Sequence, residues 1–212
     1  IEYVQSMELL FASNNRHKLE EIALLCKPHT CILPKDAGLI FEFEETFDTF
    51  YENAAGKALH LHSLCRRPVL ADDSGLIVDA LDGRPGVHTA RYGRDIFGYE
   101  LSAAQKNTFL LNNLKGIPME MRTARFVCAL ALVVSPTRIF MIQETVEGFI
   151  AETPYGNGGF GYDPVFIVGN TGRTMASLSE TEKNEISHRG RAVRRMLAII
   201  TTLTHEENIH VC

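Results

Sequence analysis

Adjacent carboxylates at Asp72 and Asp73 are the side chains of this 212-residue sequence with the clearest potential for chemistry. They stand between an apolar segment at 69–71 and the pair Ser74-Gly75. Neighbouring carboxylates repel each other, so partly buried ones need a compensating cation, and Mg²⁺ is the usual partner of hard oxygen ligands. An exposed acidic turn is the alternative, because turns favour these residue types. Apolar segments on both sides favour the metal site, since they tether the run to core strands.

A second candidate is the polar segment Ser13-Asn14-Asn15-Arg16-His17-Lys18, which separates a predicted strand at 7–12 from a predicted helix at 18–26. Backbone amides at the start of a helix point towards bound anions, and the helix dipole favours negative charge there. Lys18 adds a full positive charge. The segment therefore predicts a phosphate site, with an Asn-rich turn that caps the helix as the alternative.

The third candidate is a glycine-rich loop, Gly158-Gly159-Phe160-Gly161-Tyr162-Asp163-Pro164. Its glycines allow the backbone to approach a ligand closely, and Phe160 and Tyr162 could stack on a nucleobase. Asp163 could accept hydrogen bonds from that base. The alternative is a tight turn with aromatic anchors.

Basic side chains form the fourth candidate, at the start of the last predicted helix. Lys183 and the run Ser187-His188-Arg189 suit an anion or the edge of a purine. The alternative is a solvated basic helix face, and we assign Arg191, Arg194 and Arg195 to such a face.

The elements that must position these residues alternate along the chain. Apolar residues recur with helical spacing in four segments, at 18–26, 49–64, 103–114 and 187–203. Short apolar runs predict strands at 7–12, 31–33, 69–71, 124–134, 139–146 and 165–168. Interleaved strands and helices predict an α/β fold with a mixed sheet. In the helix at 49–64 we interpret Glu52, Asn53 and Lys57 as surface polar residues.

Composition limits the class of protein. A net charge of −5 is unlike that of most proteins that bind nucleic-acid polymers. The five cysteines have no metal-ligand spacing, no apolar run is long enough for a membrane span, and no signal peptide is visible, so we expect reduced thiols and a cytoplasmic protein. We expect a single domain at 7–204 and a C-terminal tail at 205–212, and we interpret residues 1–6 as a vector-derived or leader remnant.

Taken in order, five segments resemble the inosine triphosphate pyrophosphatase family, also called the Ham1 or non-canonical purine NTP pyrophosphatase family. The resemblance implies a mixed long central sheet with flanking helices, two lobes around a deep cleft, a homodimer and dependence on Mg²⁺. It implies hydrolysis of ITP, dITP and XTP to the monophosphate and pyrophosphate. The segments are SNNRHKLEE at 13–21, TFYENAAGKA at 49–58, LADDSGLIVDALDGRPGVHTARY at 70–92, GGFGYDPVF at 158–166 and EKNEISHRGRA at 182–192.

The resemblance also assigns roles by position. Asp73 is implied to be the general base and a metal ligand, and Glu44 the second metal-associated acid, with Glu45 as the alternative. Phe47 stands where the family commonly has glycine in this acidic loop. The remaining implied contacts are with substrate: Ser13, Asn14, Asn15, Arg16, His17 and Lys18 with the triphosphate; Ser74 with the substrate; Phe160, Gly161, Tyr162 and Asp163 with the base and sugar; Lys183, His188 and Arg189 with the 6-oxo purine and phosphates.

Two other functions are compatible with parts of the pattern. A Maf-like pyrophosphatase for pyrimidine or modified nucleotides shares the general architecture, but the Ser187-His188-Arg189 run and the glycine-rich loop argue against it. A non-catalytic nucleotide-binding protein is the other alternative, and the presence of Asp73, Lys18 and Glu44 argues against that one.

Overall fold

The structure is a computed structural model that describes residues 6–169 and 171–209, with side chains described as far as Thr204. The helices in this part of the chain are α1 (Arg16–Leu25), α2 (Phe50–Cys65), α3 (Arg94–Phe97), α4 (Ala103–Asn113), α5 (Glu180–Ile186) and α6 (His188–Ile209). The strands are β1 (Glu8–Phe11), β2 (Thr30–Ile32), β3 (Val69–Val78), β4 (Thr123–Ser135), β5 (Arg138–Ile150) and β6 (Phe166–Val168).

One six-stranded sheet has the order β2-β1-β3-β4-β5-β6. Its β1 runs parallel to both β2 and β3, with Leu9 opposite Cys31 and Leu10 opposite Val69. At the other edge, β5 and β6 are antiparallel, with Phe149 opposite Ile167. Parallel and antiparallel pairs in one sheet with flanking helices confirm the predicted mixed α/β fold.

The acidic run is placed differently from the prediction. Residues 72–75 lie inside β3, which continues from Val69 to Val78, so the expectation of a strand that ends at 71 was wrong. Asp72 is fully buried and Asp73 is 4% exposed, which excludes the exposed acidic turn. The residue types of this run favour a turn, but partners far away in the chain stabilise it as part of a strand.

Most other elements agree with the expected positions to within a few residues. The exceptions are two helices that the sequence analysis missed, the short α3 and α5. The start of α5 carries a capping box in which Ser179 and Glu182 exchange hydrogen bonds between side chain and backbone. No helix in the described ranges is long and apolar enough to cross a membrane.

Contacts divide the chain into two compact units. The first unit comprises Ile1–Asp73, Cys128–Glu144 and Arg189–Cys212, and the second comprises Ser74–Val127 and Thr145–His188. A single domain at 7–204 stays a prediction. The interpretation of residues 1–6 falls, except for Ser6, outside the described residues, and within the predicted tail at 205–212 helix α6 extends to Ile209.

Each unit has its own apolar core. In the first unit, α1 and α6 pack with β1, β3 and β4 through residues that include Leu9, Phe11, Ile22, Leu130 and Met196. In the second unit, the core includes Leu76, Leu110, Phe126, Ile150 and Phe166. These two clusters anchor the strands and helices that carry the predicted site residues.

Candidate functional site

Strand β3 gives its two acidic residues different surroundings. Successive side chains of a strand point to opposite faces of the sheet. Asp72 therefore shares a face with Leu70, which packs in the core formed with α1 and α6. Asp73 points to the other face and meets Lys57 of α2. The two carboxylates can thus serve separate purposes although they are adjacent in sequence.

Asp72 holds two cations in the first unit. Its carboxylate lies 3.0 Å from Lys18 Nζ and 3.2 Å from Arg189 Nη2. The other branch of the Arg189 guanidinium donates to Glu21 Oε2 at 2.5 Å. Burial lowers the pKa of Arg189, but Asp72 and Glu21 outweigh it and raise the pKa above its ordinary value. Asp72 is therefore a positioning group that fixes Lys18 and Arg189.

The start of α1 explains how Lys18 reaches this position. Asn15 caps the helix, because its side-chain oxygen accepts a hydrogen bond from the Lys18 backbone amide at 3.2 Å. Ser13 Oγ accepts from the Asn15 amide at 3.0 Å, and Asn14 donates to the Phe41 carbonyl at 3.3 Å. The structure thus confirms a capped turn locally and directs Lys18 inward.

Arg16 and His17 point elsewhere. Both are exposed, and the His17 ring lies 3.6 Å from Glu20 of the same helix. The structure does not bring these two side chains into the ion-pair cluster that contains Lys18, so their predicted phosphate contacts stay predictions.

Asp73 occupies a second cluster. Lys57 Nζ donates to Asp73 Oδ1 at 3.3 Å and to Glu45 Oε1 at 2.6 Å. Asp73 Oδ2 is buried and accepts no hydrogen bond from any described residue. Burial raises the pKa of Asp73 to about 6; Lys57 and Lys18 oppose the shift, while Glu45 and Asp72 add to it. A carboxylate with such a pKa and a free lone pair is suited to accept a proton near neutral pH.

Lys57 is a residue that the sequence analysis missed. It is 6% exposed, and its pKa is raised because Asp73, Asp72 and Glu45 outweigh the lowering effect of burial. The signal was present in the sequence: Asn53 and Lys57 are four residues apart in α2, so they share a face of the helix. The expectation that both are surface residues was wrong, since Asn53 is fully buried.

Asn53 holds the acidic loop that precedes α2. Its side chain accepts from the Phe47 amide at 3.2 Å and donates to the Phe47 carbonyl at 3.1 Å. The Phe47 ring packs beside Gly56, where an added Cβ would lie 3.0 Å from the ring. In this loop Glu44 is exposed, whereas Glu45 is half-buried and bonded to Lys57. The contacts therefore favour Glu45 over Glu44 as the second acid.

Asp73 and Glu45 carry carboxylate oxygens that are suitable ligands for a hard cation. Among the described residues, no group of three or more His, Cys, Asp or Glu side chains could hold a metal by itself. Mg²⁺ is commonly held by one or two carboxylates together with waters and substrate phosphates. Asp73, with its unsatisfied Oδ2, and Glu45 fit that mode of binding.

The second unit contains the glycine-rich loop. Asp163 Oδ2 accepts from the Phe160 amide at 2.8 Å and from Lys183 Nζ at 2.8 Å. The Lys183 ammonium also lies 4.7 Å from the centroid of the Phe160 ring. Gly159 is required here, because a Cβ at this position would lie 2.0 Å from Asp163 Oδ2. The structure thus brings together Phe160, Asp163 and Lys183, with the Phe160 ring partly exposed.

The other predicted residues of this unit are more enclosed. Tyr162 is 3% exposed and donates its hydroxyl to the Thr89 carbonyl at 3.1 Å, so its ring belongs to the core. His188 is buried and stacks on Phe126, with ring centroids 4.9 Å apart and planes inclined by 14°. Ser74 is half-buried. Of the two aromatic side chains in the loop, Phe160 is thus the one with a surface available for stacking.

Comparison with known proteins identifies the family of the chain. The model of the Ham1 family matches residues 9–199. A dITP/XTP pyrophosphatase of Treponema denticola is 49% identical over 187 residues, which is 88% of this chain and 95% of the relative. A dITP/XTP pyrophosphatase of Bacillus subtilis is 41% identical over 91% of this chain and 96% of its own length. The structure of a HAM1 protein from Coxiella burnetii superposes with a TM-score of 0.82 at 36% identity, and covers 92% of this chain and 99% of that one.

Proposed function

Since the chain belongs to the Ham1 family, we propose that it hydrolyses non-canonical purine nucleoside triphosphates, namely ITP, dITP and XTP, to the monophosphate and pyrophosphate. The relatives that carry this activity in their names match nearly the whole chain. The observation that carries the proposal is Asp73: a buried carboxylate with a raised pKa and an unsatisfied oxygen beside Lys57.

Asp73 supplies the base in the proposed reaction. Its unsatisfied Oδ2 accepts a proton from the water that attacks the α-phosphorus, and the α–β anhydride bond breaks to release pyrophosphate. Lys57 holds the other oxygen of Asp73 and keeps the carboxylate oriented. Lys18, which Asp72 fixes in place, provides positive charge for the phosphate oxygens.

A divalent cation completes the proposed site. Asp73 and Glu45 are the residues that would hold it, and Mg²⁺ would neutralise phosphate charge when bound. Glu44 was expected in this role; its exposure makes Glu45 the better candidate.

Recognition of the base is proposed to depend on the second unit. The partly exposed Phe160 ring offers a face for stacking, and Lys183 is a donor beside it. Inosine and xanthine carry a 6-oxo acceptor where adenine carries an amino donor, so a fixed donor would favour the former. His188, which also belongs to the second unit, remains a proposed donor to the base, and Arg189, which belongs to the first unit, remains a proposed donor to the phosphates.

The test is release of pyrophosphate from ITP in the presence of Mg²⁺, compared with ATP and with dTTP. We expect rapid release from ITP, and a substitution Asp73→Asn should lower turnover by about 10²-fold or more while nucleotide binding remains. The control is Asp95→Asn, which changes an exposed aspartate at the start of α3. Normal turnover of Asp73→Asn would refute the assignment, and preference for dTTP would favour a Maf-like activity.

We also propose that the enzyme is a cytoplasmic homodimer that acts on free nucleotides. Sedimentation or light scattering of the purified chain measures the dimer directly, and a monomer at micromolar concentration would contradict it. Binding of ITP without any release of pyrophosphate would instead identify a nucleotide-binding protein.

A further inference from the structure

Helix α4 buries an amide where an apolar side chain would be expected. Asn107 and Leu110 are the buried residues of this helix, and Asn107 is 5% exposed. Its Nδ2 donates to the Gly161 carbonyl in the glycine-rich loop at 3.1 Å. Its Oδ1 is buried and accepts no hydrogen bond from any described residue of the chain.

An unsatisfied buried acceptor is unfavourable for stability. Burial of an amide costs free energy unless its groups are hydrogen-bonded, and such exceptions need an explanation. A leucine of similar size at position 107 would remove the unpaired Oδ1, but it would also remove the donor to the Gly161 carbonyl. The amide therefore contributes little to folding beyond its one bond, and that bond is directed at the Gly161 carbonyl.

The position of Gly161 makes this bond relevant to the site. Gly161 directly follows Phe160 and has φ +62°, in the left-handed region that favours glycine. Asp163 holds the amide of Phe160, and the Tyr162 hydroxyl is anchored to the Thr89 carbonyl. Asn107 of α4 holds the peptide bond between Gly161 and Tyr162, because its amide donates to the Gly161 carbonyl. Together these three anchors set the orientation of the backbone on which the Phe160 ring is mounted.

We propose that Asn107 is a positioning residue for nucleobase recognition: by holding the Gly161 carbonyl, it keeps the Phe160 ring oriented for stacking on the purine. Asn107 acts through the loop and does not touch the nucleotide. This inference rests on the proposed function, and it adds a residue in α4 to the determinants of affinity for the base.

The test compares two asparagines of α4. Asn113 also donates its side-chain amide, but to the Tyr92 hydroxyl at 2.9 Å and not to the loop. In Asn107→Leu we expect binding of IMP to weaken by about tenfold, the effect of losing one buried hydrogen bond, and KM for ITP to rise while kcat changes little. Asn113→Leu should leave both quantities near those of the unchanged protein.

A second variant gives a readout that a purely structural role would not change. In Asn107→Asp the ionised carboxylate faces the Gly161 carbonyl with two acceptors, whereas the protonated carboxyl can donate as the amide does. Affinity for IMP relative to the unchanged protein should therefore recover as the pH falls. This measurement decides the question if Asn107→Leu does not fold.

The outcomes separate the two proposals. If the unchanged protein releases pyrophosphate from ITP and Asn107→Leu binds IMP as Asn113→Leu does, the role of Asn107 is refuted alone. Absence of recovery at low pH in Asn107→Asp refutes it as well. If the unchanged protein neither hydrolyses ITP nor binds IMP, the proposed function fails and this inference fails with it.

Discussion

Replacement of Lys57 by methionine should make the free energy of unfolding decrease with pH above pH 6. Lys57 Nζ lies 2.6 Å from Glu45 and 3.3 Å from Asp73, and the side chains of Lys57 and Asp73 are almost fully buried. Methionine keeps the approximate length of the side chain and removes the charge. At an effective dielectric constant of 20, a charge pair at this separation from Asp73 is worth about 5 kcal/mol. Breaking a buried pair typically costs about 3–5 kcal/mol of stability.

Protonation of Asp73 limits this loss. In the unchanged protein the pKa of Asp73 is raised to about 6. Between the ordinary carboxyl pKa and pH 6, Asp73 therefore carries a proton in the folded state but not in the unfolded state. The free energy of unfolding falls as the pH rises through that range and does not fall further above pH 6. Without Lys57 the folded-state pKa rises further, and the decline should continue above pH 6 at about 1.4 kcal/mol per pH unit. We therefore expect Lys57→Met to cost about 3 kcal/mol at pH 8 and less than about 1 kcal/mol at pH 6.

The assay is urea unfolding of the protein in EDTA at pH 6, 7 and 8. Lys115→Met, at an exposed lysine, is the matched control and should follow the unchanged protein at each pH. The double variant Lys57→Met with Asp73→Asn should lose the additional slope, because the group that titrates is gone. A constant difference between Lys57→Met and the unchanged protein from pH 6 to 8 would refute the coupling of Lys57 to Asp73.

Three further predictions concern the acidic loop and the glycines. Glu45→Gln should weaken apparent Mg²⁺ affinity by about tenfold or more, whereas Glu44→Gln should have little effect; the reverse order in a metal titration of activity would restore Glu44 as the ligand. Gly159 and Gly161 both have a positive φ, so alanine strains the backbone at either position. Gly159→Ala in addition places a Cβ 2.0 Å from a carboxylate oxygen of the same loop, whereas the Cβ of Gly161→Ala meets nothing within 4 Å, so Gly159→Ala should raise KM for ITP more; equal kinetics would contradict this. Gly148→Ala places a Cβ 2.0 Å from a backbone carbonyl of β6 and should destabilise the protein by about 1–3 kcal/mol, so an unchanged melting temperature would show that the strands can separate at little cost.

Local patterns in the sequence were sufficient for the class of fold and for several parts of the site. Alternating helical and apolar segments predicted the mixed α/β fold, because residue periodicity is a property of neighbouring positions. The polar segment at 13–18 predicted a helix start, and Asn15 does cap α1. The acidic pair was identified as an important feature for a reason that holds in the structure: buried carboxylates require nearby cations.

The identity of those cations depended on tertiary structure. Asp72 binds Lys18, which is 54 residues away, and Arg189, which is 117 residues away. Asp73 binds Lys57 across 16 residues. These partners allow the acidic run to continue as a buried strand where its composition favours a turn. They also separate the roles of the two carboxylates, because a strand directs consecutive side chains to opposite faces.

The sequence by itself therefore determined which types of residue are present and in what order, and these are sufficient for the family and the class of fold. Tertiary structure decided which acid lies beside Lys57, which aromatic ring of the loop remains exposed, and that Asn107 reaches the Gly161 carbonyl. The physical reason is that burial and ion pairing depend on distances between residues far apart in the chain. No pattern of neighbouring residues contains those distances.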